Sequence, residues 1–243
     1  GNSVILHDVG ISCRRIVNGL KELHIDMAQV EGIFISHEHS DHIAGLQQLL
    51  KRFDIPVYTK PGTWREIQDK LVVPKNQLIE LTKGSLTLGN LIVEPFAVSH
   101  DAADPIGINV FSGKDKATVV TDTGIISDDI LHRLDDSTLL VLEANYDPHM
   151  LRFGPYQPFL KQRVASDEGH LSNEMAAQAL LMMKRPDFMQ VILAHRSENN
   201  NNAVLVTQTI GKMLVDGGVR IGPEMKLQHG QPNEIVSMQS VKR

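Results

Sequence analysis

The sequence predicts an α/β protein in which two mixed β-sheets pack face to face with helices outside. Two observations predict it. Short β-rich apolar runs occur in both halves of the chain, and segments with helical apolar spacing separate them. No Gly- or Pro-rich linker and no low-complexity stretch divides the 243 residues, so a single domain spanning 1–243 is expected.

The elements follow in order. Val4-Ile5-Leu6 reads as a strand entering a turn at Asp8-Val9-Gly10, and Ile11 to Leu23 as an amphipathic helix. Ile33 to Ile35 is a buried strand, and Ile43 to Phe53 one helix with Leu46, Leu49, Leu50 and Phe53 on a single face. Pro56-Val57-Tyr58 is a short strand, and Thr63 is read as the cap of a helix reaching Leu71. Leu86 to Val98 gives two strands joined at Gly89-Asn90, a hairpin signal. Ile106 to Phe111 and Ala117 to Thr121 pair around Gly113-Lys114. Leu139 to Leu142 and Val191 to Leu193 are core strands, with helices at Asn173 to Met183 and Ala203 to Val215.

Composition narrows the function classes. Apolar residues make up 42% of the chain, with no apolar run of eighteen or more, so no membrane span is expected. Gly1-Asn2-Ser3-Val4 lacks the basic stretch and long apolar core of a secretory signal, and the single cysteine, Cys13, excludes an internal disulfide. Together they suit the cytoplasm. A net charge of −5 gives no general affinity for nucleic acid. Basic groups such as Arg14-Arg15, Lys184-Arg185 and Lys161 with Arg163 read as solvated helix faces. Function must therefore come from a site.

That site is announced by His37-Glu38-His39-Ser40-Asp41-His42, which sets three imidazoles and a usable carboxylate on one turn after an apolar strand. Alternate residues of an extended segment point the same way, so His37 and His39 can grip one ion. Asp41 and His42, at the start of the next helix, can face a second. Further candidates each follow an apolar strand: His100 after Val93–Val98, Asp122 after Thr118–Thr121, and His195 after Val191–Ala194. Strand ends held by a core fix ligands well, and a carboxylate such as Asp122 can bridge two ions where a neutral imidazole cannot.

The pattern His-x-His-x-Asp-His, then His100, Asp122 in Thr-Asp-Thr-Gly, and His195 resembles the metallo-β-lactamase superfamily in its dinuclear hydrolase form. The resemblance implies an αββα sandwich. It implies one ion on His37, His39 and His100, a second on Asp41, His42 and His195, and Asp122 between them. Leu142-Glu143-Ala144-Asn145 is similar to a segment of RNase Z-like nucleases, as is Gly169-His170-Leu171-Ser172-Asn173. This implies a Glu143–His170 pair in which His170 protonates the leaving oxygen and Glu143 orients it.

Gly10-Ile11-Ser12, Pro61-Gly62-Thr63-Trp64, the His170 segment and Ala194-His195-Arg196-Ser197-Glu198-Asn199-Asn200 narrow the resemblance to the YycJ (WalJ) group, whose members are described as metal-dependent 5′ exonucleases. Two departures stand out. Arg196 occupies a place usually apolar in the pattern, and Val4 to His7 looks shortened relative to the group's first strands.

The expected enzyme is a dinuclear phosphodiesterase acting on DNA from the 5′ end. Two divalent ions, Zn2+ or Mn2+, about 3.5–4 Å apart would share a hydroxide as nucleophile. Arg196, Ser197 and Asn173 are candidate substrate contacts, and Ser99 and Thr123 candidates for orienting imidazoles or phosphate. The alternative is a small-molecule hydrolase of the same superfamily acting on a lactone, thioester or β-lactam, which needs the ions but not the Glu143–His170 pair. A non-catalytic metal scaffold is disfavoured, because structural sites are usually closed and mononuclear.

Overall fold

A computed structural model describes residues 3–82, 84–232 and 234–238. Gly1 and Asn2, part of the N-terminal reading, lie outside the described residues. Contacts divide the chain into two compact units, Gly1–Ala97 with Ala102–Ile106, and Val98–Asp101 with Gly107–Arg243.

The first unit is built on a parallel sheet of order β1-β2-β3-β4: Val4–His7, Val30–Phe34, Val57–Thr59 and Leu78–Glu80. Ile33, Phe34, Ile35 and Val57 are fully buried, which is why these apolar runs hold the strand conformation. Helix α1 (Cys13–Glu22) is capped by Ser12, whose side chain accepts from the Arg15 N–H. Cys13 is buried in the same apolar cluster as Leu20, Leu46 and Trp64. Strands β5 (Leu86–Leu88) and β6 (Leu91–Ala97) form the expected hairpin, with Gly89 at φ +53°.

Two helices differ from expectation. The helix read across Ile43–Phe53 is two short ones, α2 (Ser40–Ile43) and α3 (Leu46–Leu50). At the break, the Gly45 N–H donates to Val9 O at 2.8 Å, and a Cβ there would lie 2.3 Å from Ile11 O. The chain follows the neighbouring turn instead of its own helical ladder. Helix α4 (Pro61–Lys70) begins two residues before Thr63, because proline is pre-set for the first helical position. Thr63 is thus inside the helix, and its hydroxyl donates to Asp104 O at 3.2 Å.

In the second unit β7 (Ile106–Ser112) and β8 (Asp115–Val120) pair antiparallel. Strands β8, β9 (Leu139–Glu143), β10 (Met189–Ala194) and β11 (Met225–His229) then run parallel. Val120 pairs with Leu142, and Ala194 with Glu143. This register brings the C-terminal ends of three strands level, where sheets of this kind place their chemistry. Helices α5 (Asp128–Leu134), α6 (Pro148–Phe153), α7 (Pro158–Val164), α8 (Asn173–Met182) and α9 (Ala203–Asp216) complete the unit. The sequence reading missed α5, α6, α7, β4 and β11. All are seven residues or shorter, too short for periodicity to declare itself.

Candidate metal centre

In the first unit the His-rich turn leaves β2 and enters α2. Behind it stands Asp8, at the end of β1 and held at φ +57°. Its carboxylate accepts from the Ser36 N–H at 2.7 Å, the Ser36 hydroxyl at 2.8 Å and His42 Nδ1 at 2.7 Å. Burial pushes the Asp8 carboxyl up, but the neighbouring His7 and the bonds from His42 and Ser36 outweigh it and hold the group well below the usual carboxylate range. In the sequence Asp8 reads only as a turn residue. Its signal was an acid at the end of a buried strand.

His37 Nδ1 lies 2.9 Å from Ser36 Oγ, and His37 Nε2 lies 3.0 Å from His39 Nδ1. Imidazole nitrogens sharing a tetrahedral ion at a Zn–N bond of ~2.0–2.1 Å sit about 3.3 Å apart. The spacing therefore suits one ion. The His42 ring centroid is 4.0 Å from that of His37, and the exposed Asp41 places Oδ2 3.7 Å from His42 Nε2. Gly10 makes this packing possible, since a Cβ there would lie 1.5 Å from Asp41 O. Glu38, within the same hexapeptide, turns away and accepts from the Ala103 N–H at 2.9 Å.

In the second unit three imidazoles converge on buried Asp122, whose Oδ1 lies 3.3 Å from His195 Nε2, 3.8 Å from His100 Nε2 and 3.8 Å from His170 Nδ1. Asp122 and His195 hold φ at +55° and +53°, a conformation side chains rarely adopt outside functional turns. Asp122, Glu143, His170 and His195 each offer a donor atom within 4.8 Å of the others.

Fully buried Glu143 organises the group. Its Oε1 accepts from His170 Nδ1 at 2.8 Å and from His195 Nδ1 at 2.9 Å, while Oε2 accepts from the N–H groups of Thr123 and Leu171 at 3.1 and 3.3 Å. Burial pushes the carboxyl up, yet these ring contacts hold it down at about 2. The contact to His195 was not anticipated. His100 Nδ1 donates to Gly169 O at 3.2 Å, and burial pushes this ring toward its neutral form.

These partners decide how the site can take metal. A carbonyl only accepts, so His100 carries its proton on Nδ1 and keeps the Nε2 lone pair for a ligand. Glu143 and Asp8 hold the Nδ1 sides of His195 and His42 in the same way. Imidazoles oriented by a carboxylate or carbonyl are the usual support of a metal site, so the donor set fits divalent ions.

The remaining candidates are placed as follows. Asn173 is fully buried and bonds Asn201, which also donates to Ala144 O and Asn145 O; from there it braces two loops. Ser197 Oγ accepts from the Asn200 N–H at 3.1 Å and is partly exposed. Arg196 is half-buried, and its charge helps lower the pKa of His229. The Thr123 hydroxyl accepts from the Ser99 N–H and donates to Ile125 O, so both residues cap the strand ends beside Asp122.

Residues 5–195 match the family model described as the β-lactamase superfamily domain. The chain belongs to the metallo-β-lactamase superfamily. Within the superfamily, it is 33% identical over 239 residues to the protein named exodeoxyribonuclease YycJ of Bacillus anthracis, covering 98% of this chain and 90% of the relative. It is 31% identical to exodeoxyribonuclease WalJ of Streptococcus pneumoniae, over 94% of this chain and 87% of that one. The metallo-β-lactamase fold protein YhfI of Bacillus subtilis superposes with a TM-score of 0.67 at 16% identity, over 94% of this chain and 85% of that one. The fold class is therefore the expected metallo-β-lactamase α/β fold. This superfamily member is a metal-dependent hydrolase. No helix among its described residues is long and apolar enough to cross a membrane.

Proposed function

We propose that the chain is a dinuclear metal-dependent phosphodiesterase that degrades DNA from the 5′ end. In this reading His37, His39 and His100 would hold one ion and Asp41, His42 and His195 the other, with Asp122 as a ligand they would share. The metals, Zn2+ or Mn2+, supply an activated water and offset charge on the non-bridging phosphate oxygens.

The observation that carries the reading is the Glu143–His170 hydrogen bond of 2.8 Å. His170 is partly exposed, whereas Glu143 is sealed beneath it. A ring held by a buried carboxylate at Nδ1 directs Nε2 the other way, which suits proton delivery to a leaving 3′ oxygen. Lactone, thioester or β-lactam hydrolysis does not require this pair. The near full-length likeness to proteins named exodeoxyribonucleases supports the same substrate class. Ser197 and Arg196 follow His195 directly and are the proposed substrate contacts, with Asn173 acting from behind through Asn201.

The test is end-labelled, 5′-phosphorylated duplex DNA incubated with metal-reconstituted protein, with Asp122→Ala as the blank. Progressive loss from the labelled 5′ end, absent in the blank, is expected. Intact DNA with both Zn2+ and Mn2+ would overturn the nuclease reading.

A further inference from the structure

The chain between Glu143 and His170 forms an excursion whose two ends meet at the site. The chain leaves β9 at Glu143 and returns at His170, and those two side chains are in contact at 2.8 Å. The excursion is also tied to both neighbouring loops. The Asp147 N–H donates to Asn200 O at 2.9 Å, and Arg163 pairs with Asp101, the residue after His100.

Inside the excursion a small apolar cluster of Tyr146, Leu151 and Val164, with Tyr156 and Leu160 against it, packs α6 and α7 together. Phe153 and Phe159 take no part in it. They are 67% and 72% exposed, and no other described Phe, Tyr or Trp is exposed. The Phe153 ring meets the His149 ring at 4.6 Å between centroids, and the surface that both phenyl rings leave to solvent on two neighbouring helices is of the kind a partner covers.

The charge around them identifies it. Helices α6 and α7, which carry both phenylalanines, also carry Arg152, Lys161 and the Asp101-paired Arg163 and no Asp or Glu; the acids of the excursion, Asp147, Asp167 and Glu168, lie outside these helices. The Arg152 guanidinium lies 5.3 Å from the Phe153 ring centroid, and Lys161 Nζ donates to Arg152 O at 2.8 Å. Exposed aromatics set among cations are the combination that binds single-stranded nucleic acid, the rings stacking on bases and the cations following phosphates.

We propose that Phe153 and Phe159, with Arg152 and Lys161 beside them, form a stacking platform for the unpaired bases of a nucleic-acid strand whose end lies at the metal site. The inference rests on the nuclease reading and adds a place where bases beyond the scissile phosphate are held. Base stacking is indifferent to sequence, so the platform binds strands without sequence preference.

The experiment is fluorescence binding of a phosphorothioate-linked, cleavage-resistant oligothymidylate carrying 2-aminopurine, compared with the same oligomer made abasic at that position. Wild type should quench the 2-aminopurine and bind the abasic strand more weakly. Phe153→Ala and Phe159→Ala should each weaken binding about tenfold and abolish the quench, at unchanged melting temperature. Phe→Tyr at the same positions should restore both. Wild-type binding by the alanine variants would overturn the platform while DNA degradation by them left the nuclease reading standing. A dimer in sedimentation that the alanine variants convert to monomer, with binding intact, would make the patch a contact between copies and overturn it too. Wild type that neither binds nor degrades nucleic acid would sink both readings.

Discussion

Glu143 and His195 meet at 2.9 Å, Oε1 to Nδ1, and the same oxygen holds His170 Nδ1 at 2.8 Å. One buried carboxylate thus orients both a proposed metal ligand and the proposed proton donor. Glu143→Gln keeps the shape but offers one acceptor oxygen to four donors. Metal affinity and turnover should each fall about 10- to 100-fold, measured by metal titration and initial rates. Unchanged affinity would mean that other contacts, such as those of Asn145, suffice to hold His195.

Asp122→Ala removes the group on which three imidazoles converge. Elemental analysis should show loss of bound metal, and activity should vanish with it. In wild type, metal at a hundred times its dissociation constant should add about 2.7 kcal/mol of stability, which chelator removes. A chelator-insensitive melting temperature would argue against metal binding to the folded chain.

His170→Ala should separate binding from chemistry. The ring is no ligand in the proposed set, so metal content should match wild type while turnover falls about 10²- to 10⁴-fold. Full turnover would remove His170 from the reaction.

Asn201→Ala breaks the amide network that joins the loops after β9 and β10 through Asn173, Ala144 O and Asn145 O. Ala144 O, the Asn173 side-chain amide and the Asn202 N–H lose a partner, each costing about 1–3 kcal/mol when left unsatisfied, while Asn145 O keeps the Ser197 N–H. Denaturant unfolding should show a loss of that order.

His229→Gln tests a pH dependence away from the metal centre. Burial and the charge of Arg196 lower the His229 pKa below 6.5. The unfolded chain then binds the proton more readily, so the contribution of this group is present above pH 6.5 and lost as pH falls toward its folded value. Melting temperature should drop less on acidification in His229→Gln than in wild type. An identical pH profile would contradict the sign.

Much of the fold was legible because long apolar strands and helices carry their period in the sequence. The hairpin at Gly89-Asn90, the strand at Leu139, and the helix at Ala203 all appear where that period places them. Gly45 shows the limit: it sits inside a good helical pattern, yet the chain breaks there to follow Val9.

The sequence by itself determined the candidate ligand types, because the hexapeptide and the strand-end His100, Asp122 and His195 carry their chemistry in residue identity. Only the tertiary structure decided which groups stand behind them. Asp8 reaches Ser36 and His42 across 28 and 34 residues, and Glu143 reaches His195 across 52. Such partners leave no local pattern, since parallel strand register, set by burial of both sheet faces, is what brings them together.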